Sequence, residues 1–372
     1  MVWEDAGGNC VGRMDWRGAF YLPGMRQPVQ AAAGQTLSPT TFPRTDREKL
    51  HPSIAPLIDS LIREGQPFIP PPTMLVPNGY GVPNGFISAF SVDEDAGIVL
   101  ETPYANGGLV HPYLLEMRRP LLGYRFLMME SPHKFGNARE ENPLMYGSND
   151  LRRFDLIPDI DQPMGFPPAD QARYMQDPGF TYDPRTGELI VFWTALSDFR
   201  SRSTFDGVNW SQEEVTTTGG GAGVSPAILY DPVGGTWHLW GAWNNVLHHQ
   251  TGPTYRGPWT EVGQENFRTT HGIDIWHLEV KWMGERFMLL ANQREPGSGL
   301  WLGYSSDGTS WTMGPQLVPS PANIYKGTFL PEFDGDRVRI HLGWNTYAFP
   351  LPPGVSDNFH LVASDWVDLD SL

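Results

Sequence analysis

Gln176-Asp177-Pro178-Gly179-Phe180-Thr181-Tyr182-Asp183, followed by Gly187-Glu188-Leu189-Ile190-Val191-Phe192-Trp193 and by Ser203-Thr204-Phe205-Asp206-Gly207-Val208-Asn209-Trp210, sets the pattern of this chain. A polar residue and a proline open a short strand. A glycine-marked turn leads into an aromatic-rich strand, and a third strand ends in Asp-Gly and an aromatic. The order returns as Val224-Ser225-Pro226-Ala227-Ile228-Leu229-Tyr230-Asp231 with Gly235-Thr236-Trp237-His238-Leu239-Trp240. It returns again as Ile275-Trp276-His277-Leu278-Glu279-Val280, Gly284 to Leu290, and Tyr304-Ser305-Ser306-Asp307-Gly308-Thr309-Ser310-Trp311. Repeats of about 50 residues that each hold several short strands predict a β-propeller.

Two further copies flank these three. The earlier one runs through His111-Pro112-Tyr113-Leu114-Leu115-Glu116, Gly123 to Met129, and Glu141-Asn142-Pro143 to Asp150. The later one runs through Tyr325-Lys326-Gly327-Thr328-Phe329, Asp336 to Trp344, and Phe359 to Trp366. The expected fold is all-β, a five-bladed propeller over residues 85–372. The last copy stops after its third strand, so a strand from residues 85–101 is expected to close the ring.

Residues 1–84 lack the repeat and are expected to form an irregular arm. Within them, His51 to Glu64 carries Pro52 near its start, Ile54, Leu57, Ile58, Leu61 and Ile62 on one face, and Gly65 beyond its end. That predicts one short amphipathic helix. The prolines from Pro67 to Pro83 then predict a stiff, extended connection.

Composition agrees: 14 Trp, 41 Gly and 35 Pro in 372 residues suit short strands joined by tight turns rather than long helices. The formal charge of −16 opposes binding to a polyanionic backbone, so nucleic acid is not an expected partner. The single cysteine, Cys10, allows no internal disulfide. No apolar run approaches the roughly 18 to 20 residues of a membrane span. No basic start leads into an apolar segment, so ordinary secretion is not expected.

In such a ring, the start of each inner strand faces the axial funnel. His111, Asp177, Ser225, the pair His277 and Glu279, and Lys326 occupy those starts, and Glu141 opens another strand of the first blade. Two carboxylates facing each other across a sugar perform glycoside hydrolysis, one as acid and one as base or nucleophile. Asp177 and Glu279 are the chosen pair, with Glu141 as a further acid. His111, Ser225, Trp276, His277 and Lys326 are expected to bind substrate. Trp276, Trp193, Trp243, Trp344 and Tyr325 are candidates to stack on a sugar's apolar face. These polar residues are far apart in sequence and match no ligand spacing, so no metal and no cofactor are expected.

The series His111, Glu141-Asn142-Pro143, Asp177-Pro178, Ser225-Pro226 and Trp276-His277-Leu278-Glu279-Val280 resembles the five-bladed glycoside hydrolase propellers of the arabinanase, xylosidase and invertase type. It is more similar still to the glycosidase-like propellers of bacteriophage tail and bacterial surface proteins. The likeness spans roughly residues 85 to 366. It implies Asp, Asp and Glu on the inner strands of three consecutive blades. Asp177 falls on the second of these positions, but His111 stands at the first and Ser225 at the third, so the acid set is incomplete.

The resemblance implies a glycan-recognising minor tail protein of a virion. It would engage a host surface or cell-wall glycan, with hydrolysis open and with residues 1–84 fastening it to other tail proteins. The alternatives are a free glycoside hydrolase of the bacterial cytoplasm or surface, and a catalytically inactive structural tail component.

Other motifs read as scaffold. The Asp206 to Trp210 and Asp307 to Trp311 endings resemble the Asp-box hairpins of sialidase-type propellers. Gly219 to Gly223 is a loop without the Gly-Lys-Ser/Thr of a phosphate cradle. His248-His249 is placed in a connection.

Overall fold

The computed structural model describes residues 2–4, 10–14, 20–21, 97–101 and most of 108–368. Outside the described residues lie 133–140, 159, 161–174, 196–197, 218–222, 283–285, 294–298, 319–323, 335–336 and 347–354. The helix expected over 51–64 also falls outside them. Among the described residues of the first 84, β1 (Val2–Glu4), β2 (Cys10–Met14) and β3 (Phe20–Tyr21) form a three-stranded antiparallel sheet. Strands of two to five residues are too short to show an alternating pattern, and the rest of the expected arm lies outside the described residues.

Five antiparallel sheets make the rest. The first holds β5 (Leu109–Leu121), β6 (Tyr124–Pro132), β7 (Leu144–Ser148) and β8 (Asp155–Leu156). The second holds β9 (Gln176–Asp183), β10 (Glu188–Ala195), β11 (Asp198–Thr204) and β12 (Glu214–Thr217). The third holds β13 (Val224–Asp231), β14 (Thr236–Trp243), β15 (Val246–Gly252) and β16 (Thr260–Asn266), after which the short helix α1 (Phe267–His271) follows. The fourth holds β17 (Ile275–Trp282), β18 (Phe287–Gln293), β19 (Leu300–Ser305) and β20 (Thr312–Val318).

The fifth is completed from before the first blade. β21 (Ile324–Asp334), β22 (Arg337–Thr346) and β23 (Val355–Ala363) are followed by β4 (Gly97–Glu101), which pairs antiparallel with β23 from Val355↔Glu101 to His360↔Gly97. β24 (Val367–Asp368) adds to the far end of β22. The first strands neighbour one another in the cyclic order β5, β9, β13, β17, β21 and back to β5, so the chain is a closed five-bladed propeller.

The blades are sealed by apolar and aromatic side chains. Phe192, Trp193 and Trp237 are buried between the first three blades, and Trp240 and Trp311 lie in the layer between the third and fourth. The Asp-Gly-x-x-Trp hairpins are scaffold, as read from the sequence. Asp206 Oδ1 accepts from the Val208 and Asn209 amides, and Asp307 Oδ1 from those of Thr309 and Ser310. The second hairpin locks onto its neighbour, with the Trp240 indole donating to Gly308 O at 2.6 Å. Asp150 repeats the device, accepting from the Arg152 and Arg153 amides. There Leu151, at φ 60°, stands in the left-handed conformation that Gly207 and Gly308 adopt in the other two copies.

A candidate axial site

Each inner strand breaks its pairing register near its start, and every break carries a candidate residue. In β5, β9 and β13 the break spans His111-Pro112, Asp177-Pro178 and Ser225-Pro226. In β17 and β21 it falls at Trp276 and Tyr325, immediately before His277 and Lys326. A bulge re-aims the side chains beside it, which is how strands on the flank of a ring can send a polar group to the axis. His111, Asp177 and Ser225 adopt φ of 62°, 52° and 52°, the left-handed region. For a residue other than glycine that conformation costs on the order of 1–3 kcal/mol and persists only where the surroundings over-determine it.

The result is one buried polar residue from each of five blades, gathered round the Asp177 carboxylate. Asp177 Oδ1 accepts from the Ser225 hydroxyl at 2.6 Å and lies 3.0 Å from His277 Nδ1. The same oxygen lies 3.4 Å from Lys326 Nζ and 3.5 Å from His111 Nε2. Ser225 Oγ is also 2.6 Å from His277 Nδ1, and the Asp177 amide donates to His111 Nδ1 at 3.4 Å. The imidazoles of His111 and His277 meet edge to face at 5.1 Å.

Trp276 and Tyr325 pack over this group, with the indole 4.2 Å from the His277 ring and the phenol 5.0 Å from that of His111. Trp276 remains half-buried, and Trp243 stands 58 % exposed at the end of β14, whose Ala242 pairs with Val224. Trp193 and Trp344 do not serve the mouth. They are wholly buried within the blade cores, a correction that follows from a large indole filling inter-blade space.

Electrostatics separates the acids. Burial pushes the Asp177 carboxyl up, but the charges of His111, His277 and Lys326 outweigh it and hold Asp177 well below the usual carboxylate range. Glu141, 3.9 Å from His111 Nδ1, is moved the other way, held well above that range by burial and then by the Asp177 charge. Two carboxyl groups beside one histidine are thus driven apart, one kept as anion and one kept neutral.

Glu279 belongs to a different level. Two residues further along β17 than His277, it is wholly buried and pairs with Lys281 Nζ at 2.6 Å. It also accepts from the Phe329 amide at 3.4 Å. Lys281 in turn donates to Leu114 O at 2.7 Å and lies 4.4 Å from the Tyr113 ring. Burial raises the Glu279 carboxyl and lowers the Lys281 ammonium, each opposed by the partner's charge. Just beneath Asp177 in β9, Gly179 lets the Phe192 and Tyr113 rings approach, since a Cβ there would stand 2.5 Å from Phe192.

Four residues of this region, Glu130, Lys281, Asn292 and Asn345, escaped the sequence reading. Glu130 is wholly buried near the end of β6, where Asn345 Nδ2 reaches its Oε1 at 3.4 Å, and burial holds it well above the usual carboxylate range. Asn345 pairs with Lys326 across the sheet, as Asn292 pairs with His277. The available signal was an acid or amide at the end of an otherwise apolar second strand, as in Leu127-Met128-Met129-Glu130 and Leu290-Ala291-Asn292. His248 and His249 lie in β15 rather than in a connection. His249 is buried, stacked on Trp240 at 4.8 Å and bonded to His238 at 2.8 Å, so it packs between blades.

No family description matches the sequence and no curated protein is similar to it. Solved structures do match in fold. An N-acetylgalactosamine deacetylase from F. plautii, in complex with blood group B trisaccharide, is 16 % identical over 73 % of this chain and 94 % of its own, with a TM-score of 0.57. An exo-β-1,3-galactanase from Phanerochaete chrysosporium with β-1,3-galactotriose is 12 % identical, with a TM-score of 0.53, over 74 % of this chain and 64 % of that one. The same galactanase with galactose gives a TM-score of 0.52, with 65 % of its chain covered. The fold is therefore the five-bladed propeller found in carbohydrate-active enzymes, in line with the resemblance read from the sequence.

Proposed function

We propose that this propeller binds a glycan over the axial cluster and acts on it as a hydrolase. The observation that carries the reading is the convergence of five blades on the Asp177 carboxylate, with Asp177 held ionised and Glu141 held neutral. Opposed environments for two nearby carboxyl groups are how one site supplies an anion and a proton donor at the same pH. Asp177 is the anion, acting as base or as stabiliser of positive charge at the sugar. Glu141 is the nearer acid, since it shares His111 with Asp177, while Glu279 supports the floor through Lys281. Trp276 offers the apolar face on which a sugar ring stacks.

The fold neighbours act on galactose-type sugars, which selects the first ligands to try. Calorimetry with galactose- and N-acetylgalactosamine-terminated oligosaccharides is expected to give saturable binding, lost in Asp177→Asn, with released sugar or acetate detected by chromatography. Binding without product leaves a recognition protein. No binding of these or of cell-wall oligosaccharides by folded protein overturns the reading.

The setting at a virion tail is part of the proposal. It is supported by the sequence resemblance and by a region before the propeller that the repeat does not include. Antibody labelling of particle tails is the expected result. Labelling confined to the bacterial cell supports the free hydrolase instead.

A further inference from the structure

We propose that His111, Asp177 and His277 form a binding site for one divalent transition-metal ion of the zinc class, with a coordination position left open. The inference deepens the hydrolase reading and rests on it only for the ion's use, because ion binding is measured without any sugar.

The spacing of the donor atoms is the first argument. A tetrahedral ion with ligands at about 2.0–2.1 Å places neighbouring donors about 3.3 Å apart. Asp177 Oδ1 is 3.0 Å from His277 Nδ1 and 3.5 Å from His111 Nε2, and the three donors lie within 4.8 Å of one another. Each comes from a separate inner strand, so the ring itself fixes their separation. Three protein ligands and one open position is the arrangement of catalytic rather than structural zinc.

The crowding of Asp177 Oδ1 is the second. Ser225 Oγ, His277 Nδ1, Lys326 Nζ and His111 Nε2 all lie within 3.5 Å of that single oxygen. An ionised carboxylate has about four lone-pair sites over both oxygens, hence about two on one. Four donors exceed them. An ion taking the imidazole nitrogens removes two of the four and adds its own bond, so the partners of Oδ1 fall from four to three: the ion, Ser225 and Lys326.

Surroundings supply the third. An imidazole that binds metal generally directs its other nitrogen at a carboxylate or backbone group. His111 Nδ1 faces Glu141 Oε2 at 3.9 Å; it now accepts from the Asp177 amide at 3.4 Å, a bond that an ion on Nε2 would exchange for donation toward Glu141. The Lys326 ammonium, 3.4 Å from the same oxygen, opposes a second cation, and the Asp177 carboxylate is the charge that meets both. Nitrogen donors favour zinc-class ions over calcium or magnesium, which take oxygen ligands.

Chelator-treated protein titrated with zinc, manganese and calcium chlorides tests this. One zinc per chain is expected, bound more tightly than calcium, with affinity reduced at least about 100-fold in His111→Ala and in His277→Ala. His248→Ala, a histidine of β15 outside the cluster, is the control expected to bind normally. X-ray absorption on zinc-loaded wild-type protein needs no variant, and two imidazoles with oxygen ligands are expected. Folded protein that takes up no ion, an all-oxygen or sulfur-containing shell, or zinc binding unchanged in both histidine variants overturns the proposal. Sugar binding that persists in chelator-treated protein while zinc fails to bind removes the ion and leaves the glycan reading. Zinc binding without sugar binding removes only the latter.

Discussion

The axis of this propeller carries two buried polar layers, and they are built on opposite principles. In the lower one, Glu279 and Lys281 pair one to one, and the Phe329 amide and Leu114 carbonyl add one further contact to each partner. In the upper one, a single oxygen of Asp177 is approached by side chains from four other blades, on bulged and left-handed backbone. A closed pair fills a core. An oversubscribed carboxylate held by strained backbone is poised to meet something else, and burial alone does not tell the two apart.

The largest expected effect falls on the lower layer. Glu279→Gln strands a buried ammonium, and removing one partner of a buried pair costs about 3–5 kcal/mol. Denaturant titration is expected to show that loss while the remaining folded protein still binds sugar; a loss below about 1 kcal/mol would erase the distinction between layers. Asp177→Asn comes next. Its stability loss is expected to be smaller, because Asn keeps a side-chain oxygen to accept from Ser225, but sugar affinity should fall about 100-fold, near 2.7 kcal/mol, by calorimetry. Gly179→Ala drives a methyl into Phe192, and overpacking of this kind costs about 1–3 kcal/mol. Its thermal midpoint should drop, sharpening the view that the two layers are packed together.

The smallest effect concerns pH. Burial lowers His238 to about 4 and His249 to about 3, the latter also through His238, so both are neutral in the fold. The unfolded chain takes up their protons near pH 6.5 and the fold does not. Their contribution is therefore complete above about pH 6.5 and declines as pH falls toward 4 and then 3. Raised carboxyls such as Glu141 and Glu279 act in the opposite sense, since the fold binds their protons more tightly. The comparison must thus be made against His238→Gln/His249→Gln, which should lose less midpoint between pH 7 and 5 than wild type does.

The blades were legible because each repeats its own turn chemistry: Asp206-Gly207 and Asp307-Gly308 announce hairpins, and His111-Pro112, Asp177-Pro178 and Ser225-Pro226 mark strand starts. That regularity also placed one polar residue per blade at the axis. What could not be read was depth. His277 and Glu279 are two residues apart on the same face of β17, yet one joins the Asp177 cluster and the other the Lys281 pair. Strand alternation gives a side chain's face and not its level along the axis. A search for ligand spacing failed for a related reason, since His111, Asp177 and His277 are neighbours only through ring closure. The sheet formed by β1, β2 and β3 carried no periodic signal at all.

The direct test of the central claim is a crystal structure of the protein soaked with the oligosaccharide that calorimetry finds to bind. The account predicts a sugar ring against Trp276 with its oxygens directed at Asp177 and Ser225. Sugar density confined to an outer blade surface, with the Asp177 cluster unchanged from the free protein, would contradict it.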